Sequence, residues 1–304
     1  MQLLLNSRYR NLEQFLQEVY HWDFDLRLLG TGGFKGQLIQ LVSDDVLISY
    51  GRFQRRLDQT GATPPGYRTF VILGEGCRGF WWRGHQVANN DLLIFPQSNE
   101  LSSASGEDFE VYTVSVRIAY LEQLDENLGL KGFADRGQEV VPLDPRTAWD
   151  LRSTAAMIVK STGGPVALET SQRLVEKLAV CTAKDHSGPR TTLRMRDLAV
   201  DRVIEYVRSV PVPASRLDTL CRIAGTSERT LQYAFKERYG IPPNVYIKRW
   251  KLNTARRCLL QSDPADVTVQ DIAMGIGFFH QGQFAAEYKE LFAEFPSATL
   301  KGNN

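Results

Sequence analysis

Long apolar runs are missing from this 304-residue sequence, and cysteine and histidine are scarce. No stretch approaches the roughly 18 apolar residues that a membrane-spanning helix needs. The leucines at the start are too few for the core of a signal peptide. We therefore expect a cytoplasmic protein that has no membrane partner. The four cysteines are far apart and form no CxxC pair, which indicates reduced thiols and disfavours both a disulfide framework and a zinc site.

Catalytic motifs are missing as well. The sequence has no G-x-S-x-G nucleophile turn, and its glycine-rich stretch GTGGFKG (30–36) lacks the GK[ST] ending of a phosphate-binding loop. Four histidines (His21, His85, His186 and His280) cannot supply a metal-binding cluster in the β-rich region. We therefore expect a protein that is not an enzyme and that has no cofactor.

Positive charge, in contrast, is concentrated in one part of the chain. The net charge is only +1, but residues 189–261 contain 15 Lys and Arg against 6 Asp and Glu. The residues before this block and those after it carry a net charge of −4 each. A basic block of this kind is typical of a nucleic-acid contact, although a solvated helical surface would give the same counts.

The first part of the chain predicts a β-rich domain. Apolar and polar residues alternate in short runs that are separated by Gly, Asn, Asp and Ser up to about residue 120. Such runs include GQLIQLVSDDVLISYGRF, YRTFVILG, DLLIFPQ and FEVYTVSVRIAY. Their spacing favours a sandwich or a small barrel, over residues 1–142. A helix is predicted before them in NLEQFLQEVYHW.

A helical hairpin is predicted over residues 143–183. Asp144 is placed to cap its first helix, with Pro145 at the first helical position, and TGGP separates this helix from the second. The hairpin is typical of a dimer contact, but its apolar stripe would serve equally well to cover the β domain. The stripe consists of Leu168, Leu174, Val175, Leu178 and Ala179. Polar and turn residues over 184–192 predict a linker.

The remaining residues predict two helix-turn-helix units joined by one long helix. In the first unit Gly225 permits a sharp turn, Ser227 caps the following helix and Gly240 ends it. The basic stretch PPNVYIKRWKLNTARRCLLQ predicts the connecting helix, and DIAMGIGFFHQGQFAAEYKELFAEFP repeats the plan of the first unit. Two such units on one rigid helix can enter successive major grooves of DNA.

These segments resemble the DNA-binding domain of the AraC/XylS transcription regulators. SERTLQYAFKERYGIPPNVYI is similar to the family pattern S-x-R-x-L-x-x-x-F-K-x-x-x-G-x-x-P-x-x-Y, and LNTARRCLL is similar to L-x-x-A-R-x-x-L. VTVQDIAMGIGF matches the second signature, with Ala293 later standing where glycine is usual. The resemblance implies an α+β chain in which an N-terminal β-barrel or cupin-like domain with a helical hairpin precedes an all-α double helix-turn-helix domain over 193–304.

The resemblance also implies which residues read DNA. The base-reading positions are Arg229, Gln232, Tyr233, Gln281, Gln283 and Ala285. Arginine suits guanine, glutamine suits adenine, and alanine can lie against a thymine methyl. The basic residues expected to contact phosphates are Arg222, Lys236, Arg238, Lys248, Arg249 and Lys251. The alternatives for two of the readers are that Arg229 pairs with a nearby glutamate and that Tyr233 donates to a phosphate.

Three acidic residues in the second unit, Glu287, Glu290 and Glu294, are expected to face away from DNA, towards the sensor domain or RNA polymerase. In the β-rich domain, Tyr50, Arg52 and Trp82 indicate a pocket for a small organic ligand, with ordinary aromatic core as the alternative.

The predicted function is thus sequence-specific regulation of transcription, as an activator that responds to a small-molecule effector. The expected partners are double-stranded DNA, the effector, RNA polymerase and a second copy of the chain. Two alternatives stay open at this point. One is a cupin-like enzyme with an appended helical domain, and the other is a regulator controlled by a protein partner.

Overall fold

A β-rich region precedes a helical region in the computed structural model, which describes residues 1–96, 98, 100–130, 139–183 and 195–302. The strands are β1 (Gln2–Tyr9), β2 (Asp23–Leu28), β3 (Gly36–Val42), β4 (Val46–Phe53), β5 (Leu57–Ala62), β6 (Tyr67–Leu73), β7 (Trp81–Trp82), β8 (His85–Gln86), β9 (Asp91–Ile94), β10 (Glu100–Ala104), β11 (Phe109–Arg117) and β12 (Val140–Pro142). The helices are α1 (Leu12–Glu18), α2 (Ile118–Leu128), α3 (Pro145–Lys160), α4 (Pro165–Ala183), α5 (Met195–Ser209), α6 (Leu217–Ala224), α7 (Glu228–Tyr239), α8 (Pro243–Gln261), α9 (Val269–Gly275), α10 (Gln281–Phe292) and α11 (Pro296–Lys301).

The strands form two sheets, and this corrects the expectation of a closed barrel while confirming the α+β class. The seven-stranded sheet has the order β1-β3-β4-β11-β6-β9-β12, and the five-stranded sheet has the order β2-β5-β10-β7-β8. Side chains from both sheets meet in a shared core that includes Leu28 and Trp82 from one sheet and Phe53 and Val71 from the other. Each sheet therefore keeps two edge strands, and β2 is one of them.

The helical hairpin of α3 and α4 covers the seven-stranded sheet. As predicted, Asp144 caps α3, because its carboxylate accepts hydrogen bonds from the backbone N–H groups of Arg146 and Thr147 at 3.0 Å. The predicted apolar stripe of α4 is buried against the seven-stranded sheet, in the same core as the strand side chains. Leu168 is the one stripe residue that is exposed. The stripe thus covers the β region, and the opposite face of the hairpin exposes Trp149 and Met157, which are 60% and 59% accessible to solvent.

The end of β11 differs from the prediction. The strand stops at Arg117 and α2 begins at Ile118, where a strand was expected to continue to Tyr120. Helical spacing explains the change, since Leu121 and Leu124 lie three residues apart and are both buried. The predicted linker over 184–192 lies outside the described residues. No helix in the described part of the chain is both long enough and apolar enough to cross a membrane.

Two helix-turn-helix units, α6–α7 and α9–α10, share α8. The predicted turn and caps are confirmed: Gly225 and Gly240 have φ of 65° and 71°, and the Ser227 hydroxyl accepts from the Thr230 N–H. The first half of α8 packs with unit one through Tyr246, Ile247 and Trp250. The second half packs with unit two through Leu252, Ala255 and Leu259, in a core that is continuous with that of the β region.

Candidate nucleic-acid interface and candidate ligand cavity

The outer face of α7 presents the first set of predicted base-reading residues. Leu231 and Phe235 hold the helix against its unit, and this leaves Arg229 and Tyr233 exposed. Among the described residues Arg229 forms no salt bridge, so its guanidinium is available to a base. Gln232 is half-buried and donates to the Glu228 carboxylate at 2.9 Å. It would have to exchange this bond to reach an adenine.

Tyr233 has a neighbour that the sequence did not indicate. The guanidinium of Arg196, in α5, lies 5.2 Å from the centre of the Tyr233 ring. Arg196 also pairs with Glu237 at 3.0 Å, which fixes its position. The Tyr233 ring is therefore steadied from one side, and its hydroxyl remains on the exposed face of α7.

The first turns of α10 present the second set. Gln281 and Gln283 are exposed, and Ala285 is half-buried. Gln283 donates to the Glu287 carboxylate at 3.0 Å, one helical turn further along. Gln281, at the first position of the helix, thus has the freer side chain of the two glutamines.

Two of the three acidic residues predicted to face away from DNA, Glu287 and Glu294, form ion pairs within the chain. Glu287 accepts a hydrogen bond from Lys248 of α8 at 2.9 Å, and Glu294 accepts one from Arg256. The side chain of Glu290 is exposed, and its backbone carbonyl contacts the β region through Gly32. Glu287 in this helix and Glu294 just after it therefore attach unit two to α8, whereas the carboxylate of Glu290 stays exposed.

The six predicted phosphate contacts divide into two groups. Arg222 and Lys236 are exposed, whereas Lys248 and Lys251 are half-buried, and burial lowers the pKa of Lys251. The other two are engaged elsewhere. Arg238 is buried against Asp201, and Arg249 donates to the carbonyl of Leu29 in the β region. These two arginines are not presented to a phosphate in this arrangement, because the contacts within the chain already use their guanidinium groups.

Arg256 acts as a structural brace that joins three parts of the chain. Its guanidinium pairs with Glu13 of α1 at 2.6 Å and with Glu294 after α10, and it lies 4.8 Å from the Phe292 ring. Burial opposes its charge, but the hydrogen bonds and the charge of Glu13 outweigh burial and raise the pKa of Arg256. The neighbouring Arg257 is exposed and pairs with Asp25 at 3.1 Å.

The edge strand β2 is sealed by α8, a contact that the sequence did not indicate. The carboxamide of Asn253 accepts from the backbone N–H of Leu28 at 2.9 Å and donates to the carbonyl of the same residue at 3.0 Å. It therefore pairs with the strand much as another strand would. A buried asparagine on the apolar face of a helix was the signal that could have indicated this contact.

Two further contacts join the same regions. Tyr246 donates to Asp58 at 2.6 Å, and burial together with the Asp58 charge raises the pKa of Tyr246 well above its usual range. The glycine-rich stretch GTGGFKG meets the end of α10. The N–H groups of Gly32 and Gly33 donate to the carbonyls of Glu290 and Leu291 at 2.9 and 3.0 Å. These carbonyls lie in the last turn of the helix, which otherwise leaves its acceptors unpaired.

A cavity of about 60 Å³ lies between the two sheets. Of the three predicted ligand residues, Trp82 lines it, while Tyr50 and Arg52 do not. The reason is the alternation of side chains along β4, which turns Ser49 and Gly51 towards the cavity and the two predicted residues to the other face. Tyr50 packs 5.1 Å from the Tyr112 ring, and Arg52 is exposed.

The sequence-based prediction also missed the polar residues that line the cavity. Gln59, Ser103 and Thr113 occupy inward positions where the alternation calls for apolar residues, and this exception was the available signal. Within the described part of the chain, no group of three or more His, Cys, Asp and Glu side chains is placed to hold a metal ion.

Two helix-turn-helix units on a shared connecting helix, beside a β region with an internal cavity, are the arrangement of a two-part DNA-binding protein. The helix-turn-helix domain family matches residues 220–302. A XylDLEGF operon transcriptional activator of Pseudomonas putida is 33% identical over 263 residues, which cover 77% of this chain and 74% of the relative. The chain belongs to the AraC/XylS family of transcription regulators.

Other similarities lie within the same class. The XylDLEGF operon transcriptional activator 1 of Pseudomonas putida is 37% identical over 265 residues, which cover 77% of this chain and 72% of that protein. Among solved structures, the AraC-like transcriptional activator CuxR is 17% identical, with a TM-score of 0.44, and the match covers 83% of this chain and 95% of that one. Both Pseudomonas putida relatives are named as activators of transcription.

Proposed function

We propose that the protein is a ligand-responsive activator of transcription that binds double-stranded DNA with α7 and α10 in successive major grooves. The observation that carries the proposal is that one helix, α8, lies in the cores of both helix-turn-helix units. At about 1.5 Å per residue, its 19 residues give a length of about 28 Å. One turn of DNA is about 34 Å long, so a spacer of this length suits two units on one face of the duplex.

Unit one supplies most of the direct base recognition in this proposal. Arg229 is free to donate two hydrogen bonds to a guanine, which would contribute about 1–3 kcal/mol of discrimination. Gln232 and Tyr233 flank it, and both have partners within the chain that compete with bases or phosphates. Unit two reads fewer bases, with Gln281 on an adenine and Ala285 against a thymine methyl. Gln283 reaches DNA only by leaving Glu287.

Phosphate contacts come from the basic residues whose charge is still accessible. These are Arg222, Lys236 and Lys251, whereas Lys248 reaches a phosphate only by leaving Glu287. Salt dependence measures the number of these contacts. In a plot of log binding constant against log salt concentration, each phosphate contact should steepen the slope by about one. Arg238 and Arg249 would join this set only if their contacts with Asp201 and Leu29 were released.

The effector occupies the cavity between the sheets in this proposal. Gln59 of β5 lines the cavity, and the adjacent Asp58 on the opposite face accepts the hydrogen bond from Tyr246 of α8. A ligand that shifts β5 therefore changes the surface on which α8 rests. It regulates the protein if it binds one arrangement of the two regions better than another.

A second copy of the chain and RNA polymerase complete the proposed set of partners. The exposed Trp149 and Met157 on the outer face of the hairpin supply an apolar surface for a dimer. Replacing both by serine should shift the chain towards monomer in sedimentation experiments without loss of the fold. Activation through RNA polymerase is proposed because the relatives are named as activators.

Gel shifts with Arg229→Ala and Gln281→Ala test the DNA-binding proposal. Each variant should lose affinity for the operator and relax base preference at one position by about 1–3 kcal/mol. Arg173→Ala and Gln172→Ala are matched controls, because both residues are exposed on α4, outside the units. If the variants in the reading helices behave like those in α4, the assigned reading surface is incorrect.

A further inference from the structure

Phe279, in the turn before α10, is the most exposed large apolar residue in the described part of the chain, at 78%. The neighbouring Phe278 is half-buried, and its ring lies 5.2 Å from that of Phe284. Phe278 therefore holds the turn against the core of unit two, while Phe279 stays on the outside. Single apolar residues are common on protein surfaces, so the position of Phe279 decides what its exposure means.

Phe279 stands at the end of unit two that is proposed to read DNA. It comes two residues before Gln281, which is the first residue of α10 and the freer of its two reading glutamines. Consecutive Cα atoms are about 3.8 Å apart, so the Cα atoms of these two residues lie within about 8 Å of each other. Successive bases of one strand are about 3.4 Å apart. The ring of Phe279 therefore reaches base pairs beside the one that Gln281 would contact.

The reading face of α10 lacks the side chains that α7 uses. Both helices have 12 residues, and they follow the N-cap residues Ser227 and His280. Counted from these N-caps, each of the three readers of unit one corresponds to a residue of unit two without a polar side chain. The pairs are Arg229 with Gly282, Gln232 with Ala285, and Tyr233 with Ala286. Unit two therefore lacks hydrogen-bonding side chains at these three positions.

The turn of unit two supplies a large side chain that its helix does not. This turn spans residues 276–280, whereas the turn of unit one spans 225–227. The residue just before the N-cap is the half-buried Thr226 in unit one and the exposed Phe279 in unit two. Among the described residues, nothing outside α10 lies within 4 Å of where a Cβ of Gly282 would stand. The approach to the start of α10 is therefore open.

The chemistry of a phenylalanine ring selects its partner on DNA. The ring has no hydrogen-bond donor or acceptor, so it cannot replace a polar contact to a phosphate or to a base. In the major groove, the apolar group that a base pair presents is the C5-methyl of thymine. Contact between this methyl group and the ring removes apolar surface of both from water.

We infer that Phe279 is a specificity-determining residue whose ring contacts the methyl group of a thymine beside the base pair that Gln281 reads. The inference rests on the proposed function, because it needs α10 to enter a major groove. Unit two then recognises its half of the operator largely through apolar contact, whereas unit one relies on hydrogen bonds.

Replacing thymidine by deoxyuridine tests the contact, because uracil keeps the base pairing of thymine and lacks only the methyl group. Selection from random-sequence duplexes with the full chain supplies the operator, and the base preference of Gln281→Ala locates the half bound by unit two. Each thymine of that half is then replaced in turn, and affinity is measured by fluorescence anisotropy. One replacement beside the Gln281 position should weaken binding by about three- to five-fold. If no replacement there weakens binding, the inference is overturned.

Variants of Phe279 assign the methyl contact to this ring. Phe279→Ala should weaken operator binding by about five- to fifty-fold, and the deoxyuridine replacement should then have no further effect, because the methyl group has lost its partner. Phe279→Leu keeps an apolar contact and should restore most of the affinity. Val166→Ala is the matched control, because Val166 is 72% exposed on α4. The melting temperatures of Phe279→Ala and the control should agree, since neither side chain is buried.

The outcomes separate this inference from the proposed function. If the unchanged chain selects no operator, the proposed regulator itself fails. An operator that the unchanged chain and Phe279→Ala bind equally overturns only the inference, even if Phe279→Ala reduces transcription, because the ring then contacts a protein partner. A deoxyuridine effect that persists in Phe279→Ala also overturns it, since another residue, such as Ala285, then contacts the methyl group.

Discussion

Replacing Asn253 with alanine tests how the β region is held to the DNA-binding helices. The carboxamide of Asn253 makes two hydrogen bonds to the backbone of Leu28, at 2.9 and 3.0 Å. The two residues are 5% and 1% exposed, so water does not reach these groups in the folded chain. Alanine would leave the N–H and the carbonyl of Leu28 without these partners.

The expected loss of stability follows from the two orphaned groups. A buried backbone group without a partner costs about 1–3 kcal/mol, so the pair would cost about 2–6 kcal/mol if the structure stayed rigid. Relaxation that admits water reduces this cost, and we expect the free energy of unfolding to fall by about 2–4 kcal/mol. Exchange of the Leu28 amide hydrogen should accelerate by about one to three orders of magnitude, because opening of the contact becomes easier.

Urea unfolding and hydrogen exchange of the full chain measure both effects. Thr254→Ala is the matched control, because the Thr254 hydroxyl donates to the Trp250 carbonyl within α8 at 3.1 Å and does not bridge to the β region. An Asn253→Ala chain that stays within about 0.5 kcal/mol of the control, with unchanged exchange at Leu28, would refute the contact between α8 and β2 as a source of stability.

Three other substitutions test separate features. Arg256→Met should lower the free energy of unfolding by at least about 2 kcal/mol, because two carboxylates lose their partner. Arg257→Met removes an exposed ion pair and should lower it by only about 0–1 kcal/mol. Equal losses for the two variants in urea unfolding would contradict the role of Arg256 as a brace. Gly33→Ala should lower the melting temperature more than Gly66→Ala in calorimetry, because both have φ of 78° but only the former residue touches the end of α10. Ala293→Gly should stabilise the chain by about 1 kcal/mol in urea unfolding, because Ala293 has φ of 63°; an unchanged stability would show that this backbone carries no strain.

Local features of the fold could be predicted from the sequence because they depend on neighbouring residues. Asp144 and Ser227 cap their helices as expected, and Gly225 and Gly240 take the left-handed conformations that their turns require. The closure of the β region depends on which distant strands pair, and the alternation of side chains does not decide that. Two sheets with free edges and a closed barrel have the same local pattern.

The candidate site was predictable where one helix face determines it. Arg229 and Gln281 are exposed as their helical positions imply. The roles of Arg238 and Arg249 were not predictable from their own segments, because their partners are distant in sequence. The polar lining of the cavity was missed for a related reason: Ser103 and Gln59 become neighbours only when β10 pairs with β5.

The sealing of β2 by α8 has a consequence for shortened forms of the protein. A fragment that ends before α8 would leave the outer edge of β2 open, with the N–H and carbonyl of Leu28 free to pair with another chain. Open strand edges of this kind promote edge-to-edge aggregation. The isolated β region should therefore be difficult to keep monodisperse, whereas the intact chain carries its own protective helix. α8 thus also covers an open strand edge of the region that precedes it.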